Sequence, residues 1–388
     1  MALLIILIIV AVVGVPIMRF ANKNLYTDEK LMGKVWNCGY TEKQATTPGG
    51  TVLSYGESSA RRFPPLLLIH GQGQAWQDYM EVLPDLAKKF HVYSINCHGH
   101  GKSSHDPSRY TCEKMTEDFA WFIENVIGRP CVVSGHSSGG ILATALAAYH
   151  KDLIRGLIIE DAPFFCVKPE EMEDRKAVAW LDNFCIVNDY MKEYGAALDA
   201  DSCGEADADS CGEADAATAE PAESYNVYYL KHSLLFGLFG GLRNKIIPRV
   251  ERAERKHPGK PVKIWFIPQS LLRGMYYSAD FDKKFAMAFY DGTWLEGISQ
   301  EEMLAEVECP CTYMKARTGY LIDGKPQTDL TGKDTSEAVL CCANTEADAE
   351  KVMSLLHDCR GVDTETSDHL IHGKYPKLFV EEVSRYAK

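Results

Sequence analysis

The chain has 388 residues, 46% of them hydrophobic, enough to bury the core of one large domain with an insertion or of two or three domains. Its thirteen cysteines are odd in number and scattered, with one Cys-x-Cys (Cys309, Cys311) and one adjacent pair (Cys341, Cys342), which is neither a disulfide framework nor a zinc ligand spacing. The formal charge of −13 is localised: nine acidic residues and no Lys or Arg lie between Asp199 and Glu223, leaving about −4 for the rest, and the lack of a basic stripe argues against nucleic acid as a partner.

In chain order, the first feature is the apolar run Ala2 to Met18, closed by Arg19. It is at the short limit for a bilayer span, and it lacks both a basic leader and a small-x-small cleavage site. The expectation is a membrane signal anchor over residues 1–25, with a cleaved secretory signal as the alternative. Arg19, Lys23, Lys30 and Lys34 follow the run, so the body of the protein is expected on the cytosolic side. No Asn-x-Ser/Thr sequon occurs in the chain, which agrees with that orientation.

From about residue 45 short apolar runs alternate with helical patterns. Strands are expected at Thr51–Tyr55, Pro65–Ile69, His91–Asn96, Cys131–Ser134 and Leu157–Glu160, and helices at Trp76–Lys88, Thr111–Val126 and Ser138–Tyr149. That alternation predicts an α/β fold, a mostly parallel sheet with helices on both faces, with ligands at the carboxyl ends of the strands.

The alternation stops after Pro163 and strand character returns at Cys311–Met314. Residues 166–300 therefore read as a helical insertion between two core halves, 45–165 and 301–388. Within it the octad DADSCGEA at 199–206 repeats unchanged at 207–214. It has no apolar face, so a disordered acidic loop over about 196–224 is expected, and its carboxylates lack the spacing of a calcium loop. SLLFGLFGGL (Ser233 to Leu242) and the aromatics between Met275 and Trp294 could line an apolar cavity or form the insertion's own core.

Between a strand and a small-residue helix stands VVSGHSSGG (Val132 to Gly140). Gly135, His136, Ser137, Ser138 and Gly139 fill the frame G-x-S-x-G, in which a tight strand-to-helix turn lifts the serine hydroxyl clear of the sheet. Centring it on Ser138 would need Gly at 136, which is His, and centring it on Ser134 would need Gly at 132, which is Val. The frame selects Ser137 as the nucleophile.

Upstream, LLLIHGQGQAW (Leu66 to Trp76) ends an apolar strand in His-Gly-x-Gly, and with the serine turn the chain resembles the α/β-hydrolase superfamily, as a serine hydrolase with a cap insertion. The resemblance implies an oxyanion hole made by the backbone N–H groups of Gln72 and Ser138. It extends to INCHGHGKS (Ile95 to Ser103), where Asn96 and His98 replace the Asp and Arg of the family's turn. The same string falls short of a phosphate-binding loop because position 96 is not Gly. Cys97, His98, His100 and His105 are read as turn residues in preference to metal ligands.

The family's chain order is nucleophile, acid, base. ETSDHLIHGKYPKLFVEEVSRY near the end matches its terminal pattern, with His369 as the base, His372 as the flanking histidine and Asp368 where Gly is usual. For the acid, Asp323 in YLIDGK follows the strand after the insertion and is placed first. Asp161 in IIEDAPFF, at the end of the preceding strand, is the alternative.

The resemblance implies hydrolysis of an ester-type, apolar or lipid substrate through an acyl-enzyme on Ser137, with no cofactor and no metal. A non-catalytic binding or scaffold protein, an acyltransferase and a carbon–carbon bond hydrolase remain open. Family members that open epoxides or remove halides attack with Asp, which Ser137 argues against.

Overall fold

Apolar runs with little alternation mark strands covered on both faces, and β3 (Pro65–Ile69), β4 (His91–Ile95) and β5 (Cys131–His136) are buried along their whole length. The computed structural model describes residues 10–165, 179–203, 223–233, 237, 240–322, 325–327, 332–333, 338–365 and 368–387. With β1 (Thr41–Thr46), β2 (Val52–Glu57), β6 (Ile154–Glu160), β7 (Cys311–Lys315) and β11 (Cys359–Asp363), these strands form one sheet in the order β1-β2-β4-β3-β5-β6-β7-β11. β1 and β2 are antiparallel to their neighbours and every other pair is parallel.

Three short strands, β8 (Tyr320–Ile322), β9 (Lys325–Gln327) and β10 (Val339–Leu340), make a separate antiparallel sheet after β7. β1 and β9 carry no apolar signature, and β8 and β10, though apolar, are only three and two residues long, too short to mark a strand in the sequence.

Helices cover the sheet. α1 (Val15–Asn37) precedes it, α2 (Cys112–Phe122) follows β4, and α3 (Ser138–Tyr149) follows β5. The small residues of α3 let it sit close on the sheet, so that every residue from Ser138 to Ala148 is buried. Between β6 and β7 the insertion forms α4 (Ala179–Cys203), α5 (Tyr225–His232), α6 (Arg243–Lys256), α7 (Gln269–Asp280) and α8 (Lys283–Tyr290), and α9 (Gln300–Ala305) opens the second core half. The chain closes with α10 (Glu346–Leu355), β11, α11 (Ile371–Lys374) and α12 (Pro376–Ser384). The insertion has an apolar cluster of its own, including Leu230, Ile246, Val250 and Leu272.

Three expectations change. Among the described residues no helix is long and apolar enough to cross a membrane. Residues 1–9, half of the apolar run, lie outside them, and α1 continues from the run to Asn37 as a helix whose polar side chains dock on the insertion: the Asn24 amide donates to the Trp265 carbonyl (2.9 Å) and the Gln269 amide oxygen accepts the Asp28 N–H (2.9 Å). The acidic repeat begins inside α4, which runs to Cys203, while residues 204–222 lie outside the described residues. Phe281, Phe285, Phe289 and Trp294 are buried and pack on one another and on His100, so these aromatics are chiefly core, although Phe281 also lines a cavity with Tyr190 and Tyr225.

Candidate active site

β5 delivers His136 to the sheet's carboxyl edge, where Ser137 turns at φ 55° and ψ −128° before α3 begins at Ser138. A non-glycine residue at positive φ is strained, and such strain is held only where the surroundings fix it. Here they do. A Cβ at Gly135 would stand 2.0 Å from the Gly139 carbonyl oxygen, and one at Gly139 would stand 2.4 Å from the carbonyl oxygens of Ile69 and His70. The two frame glycines are therefore required by backbone contact. The Ser137 N–H donates to the Glu160 carbonyl at 3.0 Å, tying the turn to the end of β6.

The His-Gly-x-Gly turn after β3 lies against this serine: a Cβ at Gly71 would be 2.8 Å from Ser137 Cβ. Neighbouring amides of the turn are already used. Gly71 donates to Gln74 Oε1 (2.8 Å) and Gly73 to His100 Nε2 (2.9 Å), whereas among the described residues none accepts the Gln72 N–H. Ser138, as the first residue of α3, has a backbone N–H with no acceptor one turn earlier. Burial keeps the histidines around the turn neutral, lowering His70 to about 4 and His100 well below its ordinary value. As neutral rings, His70 Nε2 and His100 Nε2 accept the amides of Cys97 and Gly73.

His369 lies between β11 and α11, partly exposed, with Nδ1 2.7 Å from Asp161 Oδ2. A carboxylate only accepts, so Nδ1 carries a proton, and in the neutral ring that tautomer leaves the lone pair on Nε2. The His369 carbonyl accepts from His136 Nε2 (3.0 Å), and the two rings are 4.6 Å apart, which brings the histidine loop against the serine turn.

Asp161 follows β6 at φ 40° and is fully buried. Oδ1 accepts the Ala316 N–H (3.3 Å), and Oδ2 accepts the Ala343 N–H (3.0 Å) as well as the His369 proton. The carboxylate on His369 is thus the residue placed second in the sequence reading. Asp323, placed first, lies outside the described residues.

His372, the flanking histidine, is buried beneath this loop with Glu160 against Nδ1 and Asp78 against Nε2, partners the sequence reading did not single out. His98 pairs with Asp118 (2.8 Å), and among the described residues no group of His, Cys, Asp or Glu could hold a metal ion. Ser134 is a fully buried strand residue.

The family model for the alpha/beta hydrolase fold matches residues 64–187. Epoxide hydrolase 3 of Xenopus tropicalis is 32% identical over 29% of this chain and 32% of its own length. A protein of Oryza sativa subsp. japonica named "Probable 1-acylglycerol-3-phosphate O-acyltransferase" is 27% identical over 40% of this chain and 42% of its own. The chain therefore spans about a third to two fifths of the length of these relatives. Among solved structures, a hydrolase from Pseudomonas aeruginosa PA01 superposes with a TM-score of 0.53 and 17% identity over 89% of this chain and 98% of that one. The sheet order, the strained serine turn and the matched segment agree on one architecture: the chain has the α/β-hydrolase fold.

Proposed function

We propose that the chain is a serine hydrolase of ester-type substrates with apolar or lipid acyl groups, acting through an acyl-enzyme on Ser137. The observation that carries this reading is the 2.7 Å pairing of His369 Nδ1 with Asp161, in a loop held against a serine at φ 55°. In the first step the Ser137 hydroxyl proton passes to His369 Nε2 as Oγ bonds to the acyl carbon. The Gln72 and Ser138 N–H groups take the charge developing on the carbonyl oxygen. On collapse, the alcohol leaves with the proton from His369. Water then gives its proton to the same nitrogen and displaces the acyl group, returning Ser137 and releasing the acid.

Two of the relatives' activities bear on the substrate. Opening an epoxide with an alkoxide would leave an ether, which this machinery has no means to hydrolyse, so a serine at the turn favours acyl chemistry over that of the epoxide hydrolases. The likeness to a protein named for acyl transfer to the hydroxyl of 1-acylglycerol-3-phosphate supports a second reading, in which an alcohol replaces water as the acceptor.

The test is labelling with a fluorophosphonate probe, followed by turnover of p-nitrophenyl esters of increasing chain length. Wild type labels, Ser137→Ala does not, and Ser138→Ala keeps most of its labelling because the backbone N–H is retained. Folded wild type that does not label sinks the hydrolase reading, and preference for acetyl over longer acyl groups sinks the lipid part of it. Added glycerol or lysolipid that diverts the acyl group from water selects the transferase.

A further inference from the structure

Two consecutive residues at the end of β6 each hold a histidine of the same short loop. Asp161 takes His369, and Glu160 takes His372 three residues on. The second pairing is the more extensive. Glu160 Oε1 accepts the His372 backbone N–H (2.7 Å), and its two oxygens each lie 2.9 Å from His372 Nδ1. On the other side of the ring, Nε2 lies 3.2 Å from Oδ2 of Asp78, in the 3-10 turn Trp76–Glu81 that follows the His-Gly-x-Gly turn. All three side chains are buried, His372 and Glu160 completely.

A neutral imidazole has one N–H, yet both nitrogens here face carboxylates, which can only accept. The geometry therefore calls for two N–H donors, which is the imidazolium. Burial alone would lower the basicity of His372, but Glu160 and Asp78 outweigh it and raise the ring to about 10. For Asp78, burial is the largest influence and acts upward, but the His372 hydrogen bond together with the charges of His372, Arg273 and His70 outweighs it, so its carboxyl falls below the usual range.

The remaining groups around the ring do not compete for its proton. Tyr79 stacks on it at 4.3 Å and is held far above its ordinary value by burial, and His136 meets it edge-on at 5.5 Å and is kept neutral, chiefly by burial. Beyond Asp78 lie Arg273 and Tyr277 of α7; the first stays a cation and burial keeps the second protonated.

We propose that His372 is a positioning residue: its imidazolium, gripped at one nitrogen by Glu160 and at the other by Asp78, locks the loop that carries His369 onto the ends of β6 and the oxyanion turn. Glu160 makes the lock relevant to chemistry. Its carbonyl holds the Ser137 N–H (3.0 Å) while its side chain holds His372, so one residue sets the register of nucleophile and base together. Asp161 orients the His369 ring, and His372 fixes the backbone on which that ring sits. The catalytic part of the proposal rests on the serine-hydrolase reading; the clamp itself does not.

The experiment uses the full chain with 15N-labelled histidine rings and, separately, active-site titration with a fluorophosphonate. At neutral pH one histidine should show protons on both ring nitrogens, lost in His372→Gln. The low-field Nδ1–H signal of His369, assigned by its change in Asp161→Asn, should shift or broaden in that variant. A singly protonated His372, or a His369 signal unmoved by the substitution, overturns the clamp.

In turnover, kcat per titrated serine should fall about tenfold or more with KM within about twofold, the pattern of lost transition-state geometry and not of lost binding. A lower titratable fraction with unchanged kcat per serine would mean that His372 only stabilises the fold, and would overturn the positioning role. If His372→Gln does not fold, Glu160→Gln/His372→Gln removes the unpaired charge and replaces it in both measurements. A wild type that never labels yet shows both ring signatures overturns the hydrolase reading and supports the clamp.

Discussion

Asp161 spends two oxygens on three donors, the backbone amides of Ala316 and Ala343 and the His369 ring. An amide in its place has one accepting oxygen, so Asp161→Asn must either abandon a buried backbone N–H or aim its NH2 at His369 and force the wrong tautomer. A tautomer error of this kind costs about 10^4 in kcat in the chymotrypsin-type triad, and a loss of about 10^3 to 10^4 is expected here with the protein still folded. Asp323→Asn should leave turnover within about twofold, since the His369 ring already has its carboxylate in Asp161. Equal losses in both variants, measured as kcat per titrated serine, would return Asp323 to the acid's role. The serine was legible because a glycine frame has only one register in that stretch. The carboxylate that pairs with His369 was not, because two strand-end carboxylates satisfy the same chain order, and Asp161 is held in place by the Ala316 and Ala343 amides, which lie 155 and 182 residues from it.

At the scale of elements, the serine turn is a contact between three backbones, β3, β5 and α3. Gly139→Ala would push a methyl to 2.4 Å from two carbonyl oxygens that belong to β3 and the residue after it, and a backbone cannot swing aside as a side chain can. The expected outcome is a loss of more than about 4 kcal/mol, seen as poor soluble yield or a much lower Tm. Gly33→Ala is the contrast. Gly33 lies within α1 with nothing within 4 Å of its missing Cβ, so the substitution should raise stability by about 0.5–1 kcal/mol. A fall in Tm at Gly33 would mean that α1 is not a helix there. Element by element, the strands read from apolar runs were found close to place, Pro65–Ile69 among them and with β5 two residues longer than expected, and α3 matches Ser138–Tyr149. What periodicity could not show was β1, whose residues are half-exposed and polar, and the fate of the N-terminal helix. Its docking depends on Asn24 and Asp28 meeting residues 241 positions away, beyond the reach of any local window.

Across the whole molecule, buried charge joins the N-terminal helix, the insertion and the loop that carries His369 and His372. Arg273 of α7 pairs with Glu81 beside the oxyanion turn (3.0 Å) and lies 3.7 Å from Asp28 of α1, and the field of Asp78 links it to the His372 clamp. Such groups make stability depend on pH, and two of them pull in opposite directions. His372 keeps its proton to about 10 when folded but only to about 6.5 when unfolded, so between those values the folded state binds more protons and its contribution is lost as pH rises. Lys283, lowered to about 7 by burial, gives up its proton in the folded state while the unfolded chain keeps it to about 10.4, so its contribution grows with pH. Each slope is at most about 1.4 kcal/mol per pH unit, and over pH 7 to 8.5 they largely cancel. Above that window the buried thiols of Cys112 and Cys131, pushed up to about 12, add a further loss. Wild type should therefore show a nearly flat stability from pH 7 to 8.5 in urea titrations. Lys283→Met, which leaves His372 unopposed, should lose stability steadily as pH rises, and Glu160→Gln/His372→Gln, which leaves Lys283 unopposed, should gain it. Parallel curves for all three proteins would show that neither buried group changes its proton occupancy on folding, and the imidazolium assigned to His372 would fall with them.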